Sequence, residues 1–301
     1  MRAVVTGGAG FIGSTLVDAL LARDDDVHVV DDLTSGRREQ VAAGATLHVR
    51  DVREPLADVF AEARPDVVFH LAAQIDVRVS VADPVADAAS NILGTLRVLE
   101  AARTHDSQVI FASTGGAIYG EGDTPADEGA ARLPLSPYGT SKLAAEEYLA
   151  TWNRLYGTRH VALRLGKVYG PRQDPHGEAG VVAIFLSRLR DGEPATIFGD
   201  GTQTRDYVFV GDVVRAFVGA VGAGGAVFNV GTGEETSVVD LWQACRAAAE
   251  RDVDAVHAPA RVGELQRSCL DPHLAETTLH WRAEVPLTTG LRETWEWIRE
   301  E

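Results

Sequence analysis

Short apolar runs alternate with longer amphipathic stretches through the first half of the chain. Runs at 3–5, 27–30, 47–49, 67–71 and 109–112 predict strands, and stretches near 11–23, 84–105 and 138–156 predict helices. Strands that are apolar almost without interruption are typical of a parallel sheet covered on both faces. The pattern therefore predicts an α/β fold built on a doubly wound parallel sheet.

This alternation weakens after about residue 165, where glycine and proline cluster at 169–171 and 198–201. We therefore expect a Rossmann-type domain at 1–165 and a smaller α/β lobe at 166–301. Part of 205–231 is expected to return to the first domain.

Composition narrows the function classes. The net charge of −16 argues against a nucleic-acid or membrane partner, since both require a basic surface. Two cysteines without a Cys-x-x-Cys spacing, and a start that lacks a signal-peptide pattern, predict a cytoplasmic protein. The nine histidines show no metal-binding spacing, so no metal is predicted.

A glycine-rich segment at 6–13 joins the first predicted strand to the first predicted helix. Glycines let the backbone approach a pyrophosphate, and a helix N-terminus offers it free amide donors. The segment predicts a dinucleotide site, although such a turn can also merely pack a helix on a sheet. The expected contacts are Gly7, Gly10, Phe11, Ile12 and Gly13.

Asp31 ends the second predicted strand, 21 residues after Gly10, where an acidic residue binds the adenosine ribose hydroxyls. Its charge would repel a 2′-phosphate and so favours NAD over NADP, while Arg37 and Arg38 keep NADP open. Asp31 could also be a solvated turn residue. Further expected cofactor contacts follow strands two to four, where small residues could equally serve packing alone: Asp32, Ser35, Gly36, Asp51, Val52, Leu71, Ala72 and Ala73.

Tyr138 and Lys142 lie four residues apart in a predicted helix and so share one face. Lysine occurs only twice among 28 basic residues, at 142 and 167. A compact ammonium beside a phenol can tune its acidity, which suggests acid/base chemistry. The alternative is a half-buried tyrosine beside a lysine that reaches toward water.

Taken together and in this order, the motifs resemble the extended short-chain dehydrogenase/reductase family, and within it nucleotide-sugar epimerases of the UDP-glucose 4-epimerase type. The resemblance covers nearly the whole chain. It rests on segment 6–13, on 70–73, on Asn91 with Gly94-Thr95, on Ser113-Thr114 before Tyr119-Gly120, on 137–142, and on 168–172, 198–201, 205–208 and 228–231.

The resemblance implies NAD-dependent inversion at carbon 4 of a UDP-hexose through a transient keto-sugar. It makes Tyr138 the acid/base, with Lys142 holding the nicotinamide ribose and lowering the Tyr138 pKa, and it adds Asn91 to the cofactor site. It also implies a homodimer formed through the helices near 84–105 and 138–156, although the outward faces of these helices could equally be plain solvent surface. A UDP-glucuronate 4-epimerase, a nucleotide-sugar reductase and a non-catalytic NAD sensor are the alternatives.

One departure from the family lies beside the predicted acid/base. Gly115 occupies the usual place of the catalytic hydroxyl, so we assign that role to Thr114, with Ser113 and Thr114 toward the substrate. Thr114 could also simply bond its own backbone at a strand end. Residues 115–117 lack the carboxylates of related dehydratases and decarboxylases, which argues against elimination.

The resemblance also assigns the nucleotide-sugar contacts. Lys167 stands where the family usually has asparagine, so a different nucleotide or an acidic sugar remains open. Ser268 aligns with the position that limits sugar size, and a small residue there predicts tolerance of N-acetylhexosamines, although Ser268 could also be an ordinary loop residue. The remaining contacts are Arg205 and Arg261 for the pyrophosphate, Glu264 for the uridine ribose and Phe198 for the uracil.

Overall fold

The computed structural model describes residues 1–122, 125–175, 180–261 and 265–300. Its strands are β1 Arg2–Thr6, β2 Asp26–Asp31, β3 Thr46–Val49, β4 Val67–His70, β5 Gln108–Thr114, β6 Val161–Leu165, β7 Lys167–Tyr169, β8 Thr196–Phe198, β9 Thr204–Arg205, β10 Tyr207–Phe209, β11 Val227–Val230, β12 Thr236–Ser237 and β13 Val256–Ala258.

The helices flank these strands, and the three stretches predicted to be helical are so. The stretch near 84–105 is one helical rod whose middle turn, Ala89–Leu93, is a π-helix. The helices are α1 Phe11–Leu21, α2 Ala57–Ala63, α3 Val77–Ala82, α4 Pro84–Ala88, α5 Gly94–Arg103, α6 Gly115–Ile118, α7 Pro137–Tyr156, α8 Val181–Asp191, α9 Val210–Gly219, α10 Val238–Ala249, α11 His273–Leu279 and α12 Leu287–Glu300.

Seven parallel strands form the central sheet in the order β3-β2-β1-β4-β5-β6-β11. The direction of winding reverses between β1 and β4, and ligands of such sheets bind outside the carboxyl ends of the strands at this point. Thr6 and His70 are the last residues of these two strands and lie opposite each other. The predicted doubly wound parallel sheet is confirmed.

Apolar side chains cover both faces of the sheet, as its nearly unbroken apolar strands require. On one face α1 packs with α9, and Leu16 and Phe217 are fully buried there. On the other face α2, α5 and α7 bury Phe60, Leu99 and Leu149. Strand β11 and helix α9, from the second half of the chain, thus complete the layers that the first half begins.

Elements of the predicted smaller lobe, residues 166–301, contain a second core. Helices α8, α10 and α12 share a core in which the rings of Phe185 and Trp242 meet edge to face at 5.1 Å, with Trp295 beside them. This part of the chain also forms three two-stranded sheets, β7-β10, β8-β13 and β9-β12. Among the described residues, no helix has both the length and the apolar character needed to cross a membrane.

Candidate active site

The glycine-rich turn lies where β1 passes into α1. Gly7 has a φ of +72°, and a Cβ at Gly13 would lie 2.0 Å from the Gly7 carbonyl oxygen, so neither position accepts a side chain. Helix α1 begins after Gly10 with no side-chain cap and no acidic residue in its first turn, which Phe11 and Ile12 open. Its amide donors and dipole therefore face outward as an anion site, and the turn fits a dinucleotide pyrophosphate.

Asp31 is buried beside this turn at the end of β2. Its carboxylate accepts hydrogen bonds from the amides of Ala9 and Leu33, each at 2.9 Å. Burial raises the pKa of Asp31, while these two bonds act in the opposite direction. The side chain is thus held at the turn by the backbone rather than free in solvent.

The neighbouring loop residues divide by exposure. Asp32, whose carboxylate accepts from the Thr34 amide at 2.9 Å, and Ser35 are exposed, whereas Gly36 packs so closely that a Cβ there would lie 2.8 Å from Asp31. After β3, Asp51 pairs with Arg53, whose guanidinium lowers the pKa of that carboxyl, and Val52 is buried.

The end of β4 closes against the glycine turn. A Cβ at Gly7 would lie 2.7 Å from the Ala72 amide nitrogen, and Leu71, Ala72 and Ala73 are half-buried at this edge. The structure therefore brings the predicted residues of the first and fourth strands together.

A buried chain of hydrogen bonds fixes His70 beneath this edge. The Thr95 hydroxyl donates to the Asn91 carbonyl oxygen at 2.7 Å, so it accepts from His70 Nε2–H at 3.0 Å. His70 Nδ1 then accepts from the Thr6 hydroxyl at 2.7 Å, which in turn accepts from the Ala72 amide at 3.2 Å. Burial lowers the pKa of His70 to about 3, so the ring is neutral and orders the β4 edge.

Tyr138 lies in the first turn of α7, just after the cap formed by Ser136, which accepts from the Gly139 amide at 3.1 Å. Burial raises the pKa of Tyr138 to about 12, and the charge of Asp87 acts in the same direction. A hydrogen bond with Thr114, at the end of β5, lowers it. In the protein alone the phenol is therefore protonated at neutral pH, the reverse of the direction expected from Lys142.

Lys142 is buried one turn further along α7. Its ammonium donates to the Ala112 carbonyl oxygen at 2.9 Å and lies 4.7 Å from the centre of the Phe111 ring. Burial lowers the pKa of Lys142 to about 8, whereas the charges of Asp87 and Glu146 raise it. The structure thus brings Tyr138, Lys142 and Thr114 together at the carboxyl edge of the sheet.

Ser113 belongs to a buried network under this edge. Its hydroxyl donates to Glu146 at 2.5 Å, and Glu146 pairs with Arg164 at 2.6 Å. Arg164 also donates to the Tyr119 hydroxyl at 2.8 Å, which donates to Asn229 at 2.7 Å. The Ser113 hydroxyl, which the sequence assigns to the substrate, is therefore engaged inside the protein.

The two glycines after Thr114 differ in what they face. A Cβ at Gly115 would lie 2.4 Å from Leu270, so that position is closed by packing. A Cβ at Gly116 would lie 3.9 Å from Ser268 Oγ and 4.0 Å from Thr114 Oγ1. The space over Gly116 therefore separates Thr114 from Ser268, which places the predicted hydroxyl and the predicted size-limiting residue around one opening.

The predicted nucleotide contacts lie in the smaller lobe. The Arg261 guanidinium stacks 3.9 Å from the centre of the Phe198 ring, and both line a cavity of about 280 Å³. Arg205 lies on β9 and donates to the Thr204 carbonyl oxygen at 2.7 Å, while Lys167 is exposed at the start of β7. Glu264 lies outside the described residues.

Two polar residues that belong to the sequence motifs have hydrogen-bond partners that the sequence does not predict. Asp206 is buried and accepts hydrogen bonds from the Thr232 amide and hydroxyl and from the Gly233 and Leu270 amides, which joins β10 to the turn after β11. Asn91, assigned to the cofactor by resemblance, uses its side chain to bind both backbone groups of Gln74 at 2.9 Å. Their partners are distant in sequence, so only the fold reveals them.

One group of possible metal ligands lies at the outer strands of the sheet. Ligand atoms of His28, His48 and Glu62 lie within 4.8 Å of one another. The two imidazoles hydrogen-bond to each other at 2.9 Å, from β2 to β3. These residues stand apart from the Tyr138 site, and the absence of a metal remains a prediction.

The comparisons with known proteins agree with the geometry of this site. The model of the NAD dependent epimerase/dehydratase family matches residues 3–231. The UDP-glucose 4-epimerase of Mycolicibacterium smegmatis is 47% identical over 309 residues, spanning 99% of each chain. The crystal structure of the Thermotoga maritima UDP-glucose 4-epimerase with UDP-glucose superposes with a TM-score of 0.98 at 44% identity, covering 100% of this chain and 99% of that one. The Thermus thermophilus UDP-glucose 4-epimerase complex with NAD gives 0.94 at 46% identity and 99% of both chains.

Proposed function

This chain belongs to the NAD dependent epimerase/dehydratase family, and we propose that it inverts carbon 4 of a UDP-hexose, interconverting UDP-glucose and UDP-galactose with bound NAD. The observation that carries the proposal is the grouping of Thr114, Tyr138 and Lys142 at the same carboxyl edge of the sheet as the glycine-rich turn. A protein that only sensed NAD would not need this acid/base group next to an opening for substrate.

The residues of the site divide the chemistry among them. Bound NAD would supply a positive charge that favours the phenolate, accept the hydride from carbon 4, and return it to the other face of the keto-sugar. Tyr138 Oη takes the proton of the sugar hydroxyl as the C4–H bond breaks, and returns it when that bond re-forms. Thr114 stabilises the phenolate by its hydrogen bond, and Lys142 keeps a cation beneath the site.

The same opening favours inversion over elimination. Elimination needs an additional acid and base beside the sugar, and residues 115–117 are Gly, Gly and Ala. Gly115 faces Leu270 and Gly116 faces the opening, so neither position offers a proton donor. Epimerisation, in which the hydride taken from carbon 4 is returned to the same carbon, requires no additional acid or base.

The small residues around the opening support a broad choice of sugar. Because Gly116 and Ser268 leave space beside Thr114, N-acetylhexosamines should enter as well as hexoses. The exposed cation of Lys167, in place of an uncharged side chain, favours UDP-glucuronate as the second candidate substrate.

Exposed apolar side chains support a homodimer. Val81, Val85 and Leu93 are 64%, 77% and 57% exposed, on α3, α4 and the π-helical turn. These elements pack against α7, so a second copy placed there would cover them as a four-helix interface. A cytoplasmic location accords with two thiols, Cys245 and Cys269, that are buried and unpaired.

The deciding experiment is Tyr138→Phe, with Tyr156→Phe on the same helix as the matched control. Purified protein is incubated with UDP-glucose, UDP-GlcNAc and UDP-glucuronate, and the products and the redox state of NAD are measured. We expect Tyr138→Phe to lose turnover while retaining dinucleotide binding, and wild type to turn over without net NADH. Unaltered turnover in Tyr138→Phe, or stoichiometric consumption of NAD, would refute the proposal.

A further inference from the structure

A buried carboxylate acts through its charge on both Tyr138 and Lys142, and it forms no ion pair within the part of the chain that the structure describes. Asp87, on α4, is 1% exposed. Its Oδ1 accepts from Gln74 Nε2 at 2.8 Å and from Asn91 Nδ2 at 3.1 Å, both neutral amides. A buried charge is costly unless an opposite charge lies near it, so such a residue calls for a partner.

The cation available to Asp87 is Lys142. Helix α4 packs against α7, and Lys142 meets a carbonyl and a ring at close range rather than a carboxylate. The other carboxylate that acts on Lys142 is Glu146, but three of its hydrogen bonds come from Arg164, whose charge offsets it. Asp87 is therefore the carboxylate whose charge is left to balance the ammonium.

Hydrogen bonds also tie Asp87 to the position of Tyr138. Asn91 Nδ2 shares its two hydrogens among the Gln74 carbonyl oxygen, Asp87 and Ser141 Oγ, which lies 3.1 Å away, and Ser141 donates to the Tyr138 carbonyl oxygen at 2.9 Å. The π-helical turn places Asn91 at the meeting point of these bonds. The carboxylate thus reaches the first turn of α7 through two side chains.

We propose that Asp87 is a positioning residue for the reaction, which balances the charge of Lys142 and fixes the first turn of α7. This inference rests on the proposed function for its catalytic meaning, but the charge balance itself is a property of the protein alone.

The titratable groups on the elements around Asp87 determine its expected effect on pH dependence. Helix α7, which packs against α4, carries Tyr138, Lys142 and Glu146, and Asp76, just before α3, pairs with Arg78 and accepts from Gln74 through its backbone carbonyl. The negative charge of Asp87 raises the pKa of both Tyr138 and Lys142. Removing that charge must therefore move both pKa values down, and with them both limbs of the pH-rate profile.

The chain's two lysines make a direct test possible. Protein labelled with ¹³C at lysine Cε gives two signals, and Lys167→Arg identifies that of Lys142. In Asp87→Asn we expect the Lys142 titration midpoint to fall by about one unit or more. Asp83→Asn is the matched control, because Asp83 lies one turn earlier, caps α4 and is exposed. Neither cofactor nor substrate is needed.

Kinetics then separate positioning from folding. We expect both limbs of the profile to move to lower pH in Asp87→Asn, with kcat changed more than KM. Should the amide variant fail to fold, Asp87→Ser removes the same charge in a smaller side chain, and the same shifts are required. A Lys142 midpoint equal to that of Asp83→Asn overturns the inference. Failure of wild type to epimerise any UDP-sugar overturns the proposed function instead and leaves the charge balance standing.

Discussion

Replacing Glu146 by glutamine removes the negative charge from the buried pair beneath the active site. Glu146 and Arg164 are each 2% exposed, and Arg164 Nε and Nη2 reach the two carboxylate oxygens at 3.0 and 2.6 Å. Burial lowers the pKa of Arg164, but hydrogen bonding and charge from Glu146 outweigh it and raise the pKa above its usual value. Glu146→Gln removes that raising effect, but arginine is not deprotonated in proteins, so the guanidinium stays charged in the variant.

The cost follows from leaving that charge without its partner. Breaking a buried pair by removing one member costs about 3–5 kcal/mol, against a total stability of about 5–15 kcal/mol for a typical domain. Part of the remaining contact persists, since Tyr119 and the Glu128 carbonyl oxygen still accept from Arg164. We expect Glu146→Gln to lose about 3 kcal/mol or more of unfolding free energy.

Urea unfolding followed by tryptophan fluorescence measures this loss, with the midpoint read at unchanged m-value. Glu147→Gln is the control, because Glu147 is the next residue on α7, is 53% exposed and pairs with Arg132 at the surface at 2.6 Å. Such a pair contributes at most about 1 kcal/mol. A second variant, Glu146→Leu with Arg164→Met, should recover most of the loss. Equal urea midpoints for Glu146→Gln and Glu147→Gln would show that losing the buried carboxylate costs no more unfolding free energy than losing the exposed one.

Three further predictions concern ligand and rate. Gly13→Ala should abolish NAD binding in a calorimetric titration, because its methyl group would meet the Gly7 carbonyl oxygen at 2.0 Å; binding at wild-type affinity would contradict the placement of the turn. Thr114→Val removes the hydrogen bond that lowers the pKa of Tyr138, so kcat should fall about tenfold to a hundredfold and the rise of activity with pH should move to higher pH, whereas an unmoved profile would count against Thr114. Ser268→Tyr fills the space over Gly116, so the ratio of kcat/KM for UDP-GlcNAc to that for UDP-glucose should drop about tenfold or more; an unchanged ratio would place the sugar elsewhere.

The fold was largely predictable because its signals are local. Strands β1 to β5 and helices α1 and α7 overlap the predicted runs, since burial on both sheet faces imposes continuous apolar sequence. The π-helical turn Ala89–Leu93 inside the predicted helix could not be predicted from the sequence. It accompanies hydrogen bonds between Asn91 and Gln74, which are far apart in sequence. Hydrogen bonds between residues far apart in sequence produce no periodic pattern of residue types.

The candidate site was predictable in its residue types more than in their contacts. The glycine turn and the spacing of Tyr138 and Lys142 are short motifs of neighbouring residues, so the sequence places them directly. Asp87 offers no such spacing, and its proposed role follows from its burial and its hydrogen bonds in the folded structure. The direction of the Tyr138 pKa was likewise beyond the sequence, because desolvation depends on the surrounding structure.

The pairing of β11 with β6 has a consequence for how this protein is made. A nascent chain that has left the ribosome only as far as Leu165 presents β6 as a bare sheet edge, and it lacks the α9 face that covers Phe69. Its nucleotide-binding half is thus unfinished until about residue 230 has emerged. We expect a 1–165 fragment to be rapidly degraded in limited proteolysis where a 1–231 fragment resists, since late-synthesised residues complete the earliest layer.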